Sequence, residues 1–479
     1  MARRTPPPPA PPATRANANR TYAELSVGAS DTSRHAMTVA EIEGLAIVAG
    51  VLDPEHIEDG SRAAPRTPSA PGTAAIALIS NLLLRRLPGP GTVIVETAMH
   101  YGGMIEVGDV LDATVTVQAK RPRSRRVELA CRCTNQRGDV LVDGVATVEA
   151  PATKLEYSAL ATPSLILRRN DGFVKLLRQV ATLPPVRCAV VHPCDNESLL
   201  GAIEATKRGM IVPVLVGPDR KIRAAAAAAH VSLAGIEIVS TEHSHAAAEK
   251  AVELARAGKV DGLMKGSLHT DELMAAVVAT STGLRTARRV SHVYVMDVPT
   301  YPRLLFVTDA AVNIAPTLDD KADIVQNAID LARMLGIESP KVAALSAVET
   351  VTPKIESTVH AAALCKMAQR GQITGGVIDG PLAFDNAVSE QAARAKGIES
   401  EVAGHADILL VPDLEAGNMM AKQLQYFAGA DAAGIVLGTR VPIVLTSRAD
   451  SVRTRLASTA VMSLVANARR VPRRPQRGS

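Results

Sequence analysis

The chain is expected to fold as an α/β protein preceded by a smaller α+β unit, and three observations point there. From about Arg187 onward, short apolar runs of strand length alternate with stretches of helical periodicity, the pattern of a doubly wound sheet. Between Thr92 and Ala150 the period is two, in four runs: TVIVETAMHY, VLDATVTVQAKR, RRVELACRCTNQ and DVLVDGVATVEA. The length, 479 residues, exceeds what one core accommodates.

The elements follow in order. Residues 1–20 are proline-rich and expected to be a disordered lead-in. Met37–Gly50 carries apolar residues at helical spacing and stops at a glycine, and a Pro/Asp/Gly-rich loop runs from Asp53 to Gly72. Thr73–Arg86 is an apolar helix closed by Leu87-Pro88-Gly89-Pro90-Gly91. Turns at Glu106–Asp109 and Asn135–Gly138 separate the period-two strands, and a helix followed by such a meander defines an α+β unit over residues 21–152. Strands are then expected at Arg187–His192, Ile211–Val216, Gly262–Met264, Val290–Met296, Leu304–Thr308, Val342–Leu345, Thr374–Ile378, Ile408–Val411 and Val441–Leu445. Helices are expected at Ala224–His230, Ser244–Ala257, Asp320–Leu335, Val359–Arg370 and Gly417–Phe427. This region is about 300 residues long, which favours two lobes around a cleft.

Composition narrows the function. Hydrophobic residues make up 47%, aromatics 2%, and Trp is absent, so the core is aliphatic and stacking platforms for single-stranded nucleic acid are not expected. The formal charge of +5 is concentrated in the tails, at Arg3, Arg4, Arg15, Arg20 and the ARRVPRRPQRGS end; a nucleic-acid partner is not expected. Five cysteines with no metal-ligand spacing point to a reduced, cytoplasmic protein without a metal site. No apolar run reaches bilayer length, so no membrane partner is expected.

Polar clusters recur where predicted strands end, the position at which open α/β sheets bind ligands. One is Lys265-Gly266-Ser267-Leu268-His269-Thr270, a small donor-rich turn opening a helix. Others hold Asp309 and Asn313, Asp379 with Asp385, and Asp413 with Asn418. The last is Thr446-Ser447-Arg448-Ala449-Asp450, where a hydroxyl, a guanidinium and a carboxylate fall within four residues. A guanidinium fork suits phosphate. Taken singly, each residue is equally well a cap or turn former. A P-loop spacing and a nicotinamide-binding glycine fingerprint are both missing from the sequence.

Read in order, SLHT, TDAAVNIAPT, GQITGGVIDGPLAFDNAVS, ADILLVPDLEAGN and LTSRADS resemble the phosphate acetyl/butyryltransferase family, from near Gly172 to near Val465. The resemblance implies an isocitrate/isopropylmalate dehydrogenase-like fold over residues 170–468. Lobe one would take 170–300 plus 441–468 and lobe two 301–440. It also implies a homodimer or higher homo-oligomer, with no tightly bound cofactor and with acyl-CoA, coenzyme A and phosphate as substrates. By resemblance the catalytic residues are Ser447, Arg448 and Asp450, with Arg448 on phosphate and Ser447 on the reacting carbonyl. Lys265, Gly266, Ser267, His269, Thr270, Asp309, Asn313, Asp379, Asp413 and Asn418 would bind substrate. The carboxylate that serves as base in acetyl-specific members falls on Thr454, which leaves Asp450 as the nearest carboxylate.

The front unit resembles MaoC-like hot-dog hydratases through TYAELSVG and the RLPGPGTVIVETAMHYGGMIEVGDVLDATVTVQAKR meander. The family's Asp-x-Asn-Pro-x-His motif aligns with Val51-Leu52-Asp53-Pro54-Glu55-His56, and its later His-Gly pair with Pro71-Gly72. The resemblance therefore implies an acyl-CoA-related hot-dog domain with a degenerate hydratase site, whose remaining role is acyl-CoA binding or assembly.

Overall fold

The structure is a computed structural model that describes residues 17–50, 69–157, 171–445 and 452–470. The chain divides into two compact units, Met1–Leu167 and Arg168–Ser479. No helix among the described residues is long and apolar enough to cross a membrane.

In the front unit the period-two runs become strands Val93–Tyr101, Val110–Arg121, Arg126–Thr134 and Val140–Glu149 of one antiparallel five-stranded sheet. The fifth strand, Ser30–Ala36, pairs with Val110–Arg121 at the edge. It was not legible because SDTSRHA has no apolar face: as an edge strand it alternates only between exposed and half-buried. Helix Thr73–Arg85 lays Ile79, Leu82 and Leu83 into the sheet, beside Leu111, Val115, Leu129 and Val148. A sheet wrapped around one long helix is the hot-dog arrangement. Val93–Tyr101 returns to pair with Val140–Glu149, not with its sequence neighbour. Order begins before the expected start at 21: Asn17–Ala18 pairs with Glu156–Tyr157, and buried Asn19 donates to the Pro90 and Thr153 carbonyls and accepts from the Leu155 N–H. Cys131 and Cys133 face the core, and burial pushes both thiols up to about 11.

The rear unit is built on one eleven-stranded sheet, labelled here in chain order within the unit. The strands are β1 Val186–Val191, β2 Ile211–Gly217, β3 Glu237–Ser240, β4 Gly262–Lys265, β5 Ser291–Asp297, β6 Leu305–Thr308, β7 Lys341–Leu345, β8 Val377–Leu382, β9 Ile408–Leu410, β10 Asp431–Leu437 and β11 Ile443–Val444. Their spatial order is β3-β2-β1-β4-β11-β10-β5-β6-β9-β7-β8. The sequence suggested nine strands here; β3 and β10 were missed. β3 is a half-exposed edge, and β10 (DAAGIVL) is diluted by small residues. The expected Thr374–Ile378 strand forms later, at Val377–Leu382, and the expected Ala224–His230 helix forms earlier, at Asp219–Ala228.

The sheet is mixed. Junctions β11/β10, β10/β5 and β5/β6 are antiparallel, and all others are parallel. Register gives this arrangement its meaning. Val190, Met264, Val444, Ile435, Val293, Thr308, Leu410 and Ala344 are successive Cα partners across eight strands. Strands β1, β4 and β11 reach this row from one side, and β6, β9 and β7 from the other. All six stop at the row or one residue past it. Only β5 and β10 run through.

The two faces differ. On one, a single core extends from Phe173 and Leu199 through Val293 and Ile435 to Ile324 and Leu410, under helices Val452–Arg470 and Leu318–Met334. On the other are two separate cores, one holding Val191, Leu263 and Val436, the other Met296, Val307 and Leu409. His292 lies between these, across from Val436 and stacked edge-on against Tyr294 with ring centroids 4.5 Å apart. Gly434 leaves room for that ring: a Cβ there would sit 2.9 Å from His292 Nε2 and 2.8 Å from the Leu445 carbonyl.

His292 is fully buried, and neither ring nitrogen has a hydrogen-bond partner among the described residues. Burial alone drives its pKa down to about 3. Below about pH 6.5 the unfolded chain binds a proton that the folded chain refuses, so folding stability falls as pH drops toward 3. Replacing His292 with Leu should flatten that decline by a few kcal/mol, roughly, between pH 7 and pH 4. Urea midpoints at both pH values check this; an acid decline identical to the parent's would contradict it.

Candidate functional site

At the row, connections leave neighbouring strands toward opposite faces, and each such divergence opens a crevice. The connection from β1 feeds helix Asn196–Lys207 on the continuous-core face, while that from β4 feeds helix Thr270–Val278 on the split face. The loops that diverge there are His192-Pro193-Cys194-Asp195 and Lys265-Gly266-Ser267-Leu268-His269. Gly266 is obligatory: a Cβ would lie 2.4 Å from the Val191 carbonyl and 2.6 Å from that of His192. Lys265 is buried, Ser267 half-buried and His269 exposed. His269 is the N-cap of helix Thr270–Val278 but makes no side-chain capping bond, so Thr270 opens a helix whose first N–H groups are not capped by that side chain.

Ser267 is committed locally. Its hydroxyl donates to the His192 carbonyl at 2.8 Å and accepts from the Cys194 N–H at 3.2 Å, with His192 Nδ1 also 3.2 Å away. His192 itself adopts a left-handed backbone, φ 54°. Such conformations cost of order 1–3 kcal/mol and cluster at functional sites. Sequence reading placed His192 inside its strand, so this loop was missed.

A second set of loops leaves the ends of β6, β9 and β7. Asp309 is 2% exposed and accepts five hydrogen bonds. Its Oδ1 takes the Ala311 and Val312 N–H groups; its Oδ2 takes the His292 and Asn313 N–H groups and Asn313 Nδ2. Burial raises its pKa and the five donors oppose that. Asn313 further donates to the Val290 carbonyl and accepts from Arg289 Nε. Both side chains shape the loop after β6.

Asp413 caps helix Leu414–Tyr426 through the Ala416 N–H, and Asn418 donates to the Ala310 carbonyl at 3.2 Å. The Asp309 and Asp413 clusters therefore meet. Asp379 does not join them: it lies on the outermost strand β8 and accepts from its neighbour Gly380. Between helices Leu318–Met334 and Glu356–Gln369 lies a pair that sequence reading passed over, since both residues fall within helices. Lys321 is buried and meets His360 Nδ1 at 3.1 Å; burial lowers its pKa while Glu356 and Asp413 oppose that. A groove of about 650 Å³ is lined by Met274, Val278, Val312, Asp319 and Asp323, with Arg285, Arg288 and Arg289 along it. That size suits a cofactor-scale ligand. Ser447, Arg448 and Asp450 lie outside the described residues.

Such a sheet, with strand ends converging on polar loops, is that of an α/β protein that binds its ligand at the carboxyl ends of its strands. Comparison makes this particular. A family model described as "Phosphate acetyl/butaryl transferase" matches residues 244–463. A phosphate acetyltransferase of Rhizobium meliloti is 64% identical over 296 residues, covering 62% of this chain and 94% of that protein. The chain belongs to the phosphate acetyl/butyryltransferase family. The crystal structure of a branched-chain phosphotransacylase from Enterococcus faecalis V583 matches at 29% identity and a TM-score of 0.52, covering 59% of this chain and 99% of that one. The structure of R-hydratase PhaJ1 from Pseudomonas aeruginosa matches at 30% identity and a TM-score of 0.29, over 32% of this chain and 99% of that one.

Asp309→Asn keeps the shape but turns an amide group toward N–H donors. It should cost about 3 kcal/mol of stability, read from urea midpoints. A variant of parental stability with only a raised KM would instead make Asp309 a ligand contact.

Proposed function

We propose that the rear unit moves an acyl group between coenzyme A and inorganic phosphate: acyl-CoA plus phosphate gives acyl phosphate plus coenzyme A. The observation that carries this reading is the 64% identity to a phosphate acetyltransferase across almost all of that protein's length. The same relative favours acetyl over butyryl as the preferred group.

In the proposed site Arg448 grips phosphate as a bidentate fork. Ser447 donates to the carbonyl oxygen as charge develops on it, and Asp450 is a nearby carboxylate. Lys265, Gly266 and the opening turn of helix Thr270–Val278 add donors for an anion. The groove takes coenzyme A, with Arg285 along it as a cation for its phosphates, while Arg288 and Arg289 are paired with Asp330 and Asp320. A two-lobed, isocitrate/isopropylmalate dehydrogenase-like description fits the split core on one face. A homodimer and a cytoplasmic setting belong to the same proposal.

For the front unit we propose acyl-CoA binding or assembly in preference to hydration. Val51, where the hydratase motif has its aspartate, lies outside the described residues along with His56. Where that motif has its later histidine this chain has Pro71, which holds no transferable proton. The adjacent groove is lined among the described residues by Ile42, Leu45, Val48, Ala70 and Pro71, with no ionisable side chain.

The full chain should release coenzyme A from acetyl-CoA only when phosphate is supplied. Thiol release at equal speed without phosphate would overturn the assignment. Arg448→Gln should raise the apparent KM for phosphate at least tenfold, a loss of about 1.4 kcal/mol of binding; an unchanged phosphate dependence would remove Arg448 from the site.

A further inference from the structure

We infer that His192, in the loop that follows β1 at the row of strand ends, is a catalytic base that carries one proton between the thiol of coenzyme A and phosphate. The inference rests on the transacylase reading and puts the proton on a histidine in place of Asp450, the carboxylate nearest the position that holds Thr454.

The argument is a count of hydrogens. A serine hydroxyl has one proton to give and two lone pairs to accept with. Ser267 gives its proton to the His192 carbonyl, because a carbonyl can only accept. One lone pair takes the Cys194 N–H. Toward His192 Nδ1, at 3.2 Å, the hydroxyl can therefore only accept, so Nδ1 carries the imidazole proton. In the neutral ring Nε2 is then left with a bare lone pair, and among the described residues nothing donates to it. This orientation is held hard. The Gly266 N–H bonds the Val191 carbonyl and the Ser267 N–H bonds the His192 carbonyl, both at 2.9 Å, and Gly217 closes against the His192 backbone from the far side. A left-handed residue fixed by this many contacts has been placed, not left over.

The charged and titratable groups around the ring keep it unprotonated. Burial acts first, then Lys221 on helix Asp219–Ala228, and both lower the pKa below its usual value. Glu272 on helix Thr270–Val278 and Asp195 in its own loop oppose them, and the ring's contact with its own backbone does the same. Cys194 beside it is itself raised to about 11 and takes no part. The neutral form is the one that can accept a proton at neutral pH.

A free thiol is mostly protonated at that pH and is a poor nucleophile until it loses the proton. In the direction that forms the thioester, the S–H bond breaks and its proton passes to Nε2. The sulfur pair adds to the carbonyl carbon, the C–O bond to phosphate breaks, and its electrons leave on the phosphate oxygen. The imidazolium then returns the proton to that oxygen, releasing hydrogen phosphate and restoring the neutral ring. In the opposite direction Nε2 takes the proton from hydrogen phosphate and delivers it to the departing sulfur.

The test uses the full chain, with acetyl phosphate and coenzyme A as substrates and rates measured from pH 5 to pH 9. The parent's kcat should fall at the acid end as His192 becomes protonated. His192→Asn keeps a residue that tolerates the left-handed backbone but cannot accept a proton. It should lose kcat by roughly 10²–10⁴-fold, lose the acid limb, and change KM little. His192→Gly, which takes the same backbone freely, should be equally slow and regain rate when imidazole is added. Retention of both rate and acid limb in the Asn variant overturns the assignment. So does a folded Gly variant that imidazole does not rescue. A parent that fails to convert these substrates overturns the transacylase reading with it, whereas an active parent beside an unimpaired Asn variant sinks the histidine alone.

Discussion

The rear unit depends on a register constraint. Six strands approach one transverse line from opposite directions and halt there, and only β5 and β10 continue across. Because ligand loops occupy the carboxyl ends of parallel strands, opposed termination brings both sets of strand ends to one level of a single sheet. Slipping any central pairing by one residue would invert faces along the strand, exchanging Val293 of the continuous core for His292. The large aliphatic content of β5 and its neighbours serves this purpose: SHVYVMD is buried on both sides and cannot be solvated in another register.

That constraint also explains why so much polar chemistry at the row turns inward. A loop that must stop a strand abruptly leaves N–H groups to satisfy, and Asp309 and Ser267 do this on the two sides. Asp309 gathers donors from β5 and from the loop after β6. Ser267 knits the end of β1 to that of β4. The carboxylate and the hydroxyl are components of the scaffold.

Much of this was legible in the sequence. Apolar runs located the core strands, since a strand buried on both faces must be apolar throughout, and strand ends located the polar loops. Edge strand Ser30–Ala36 and the small-residue strand Asp431–Leu437 were hidden because neither carries that signature. Site roles were less legible for a different reason. Whether Asp309 meets substrate or its own backbone depends on where His292 and Asn313 sit around it, and no spacing encodes that. His192 was absorbed into a strand one residue too long. Lys321 and His360 are 39 positions apart and meet only because two helices cross above the sheet.

The unequal faces have a mechanical consequence. One side of the sheet is bonded into a continuous slab by helix Val452–Arg470 and its neighbours, and the reverse is scored along Tyr294 and Gly434. A plate built this way resists sliding and twisting along its continuous face, because displacement there would open buried aliphatic surface to water.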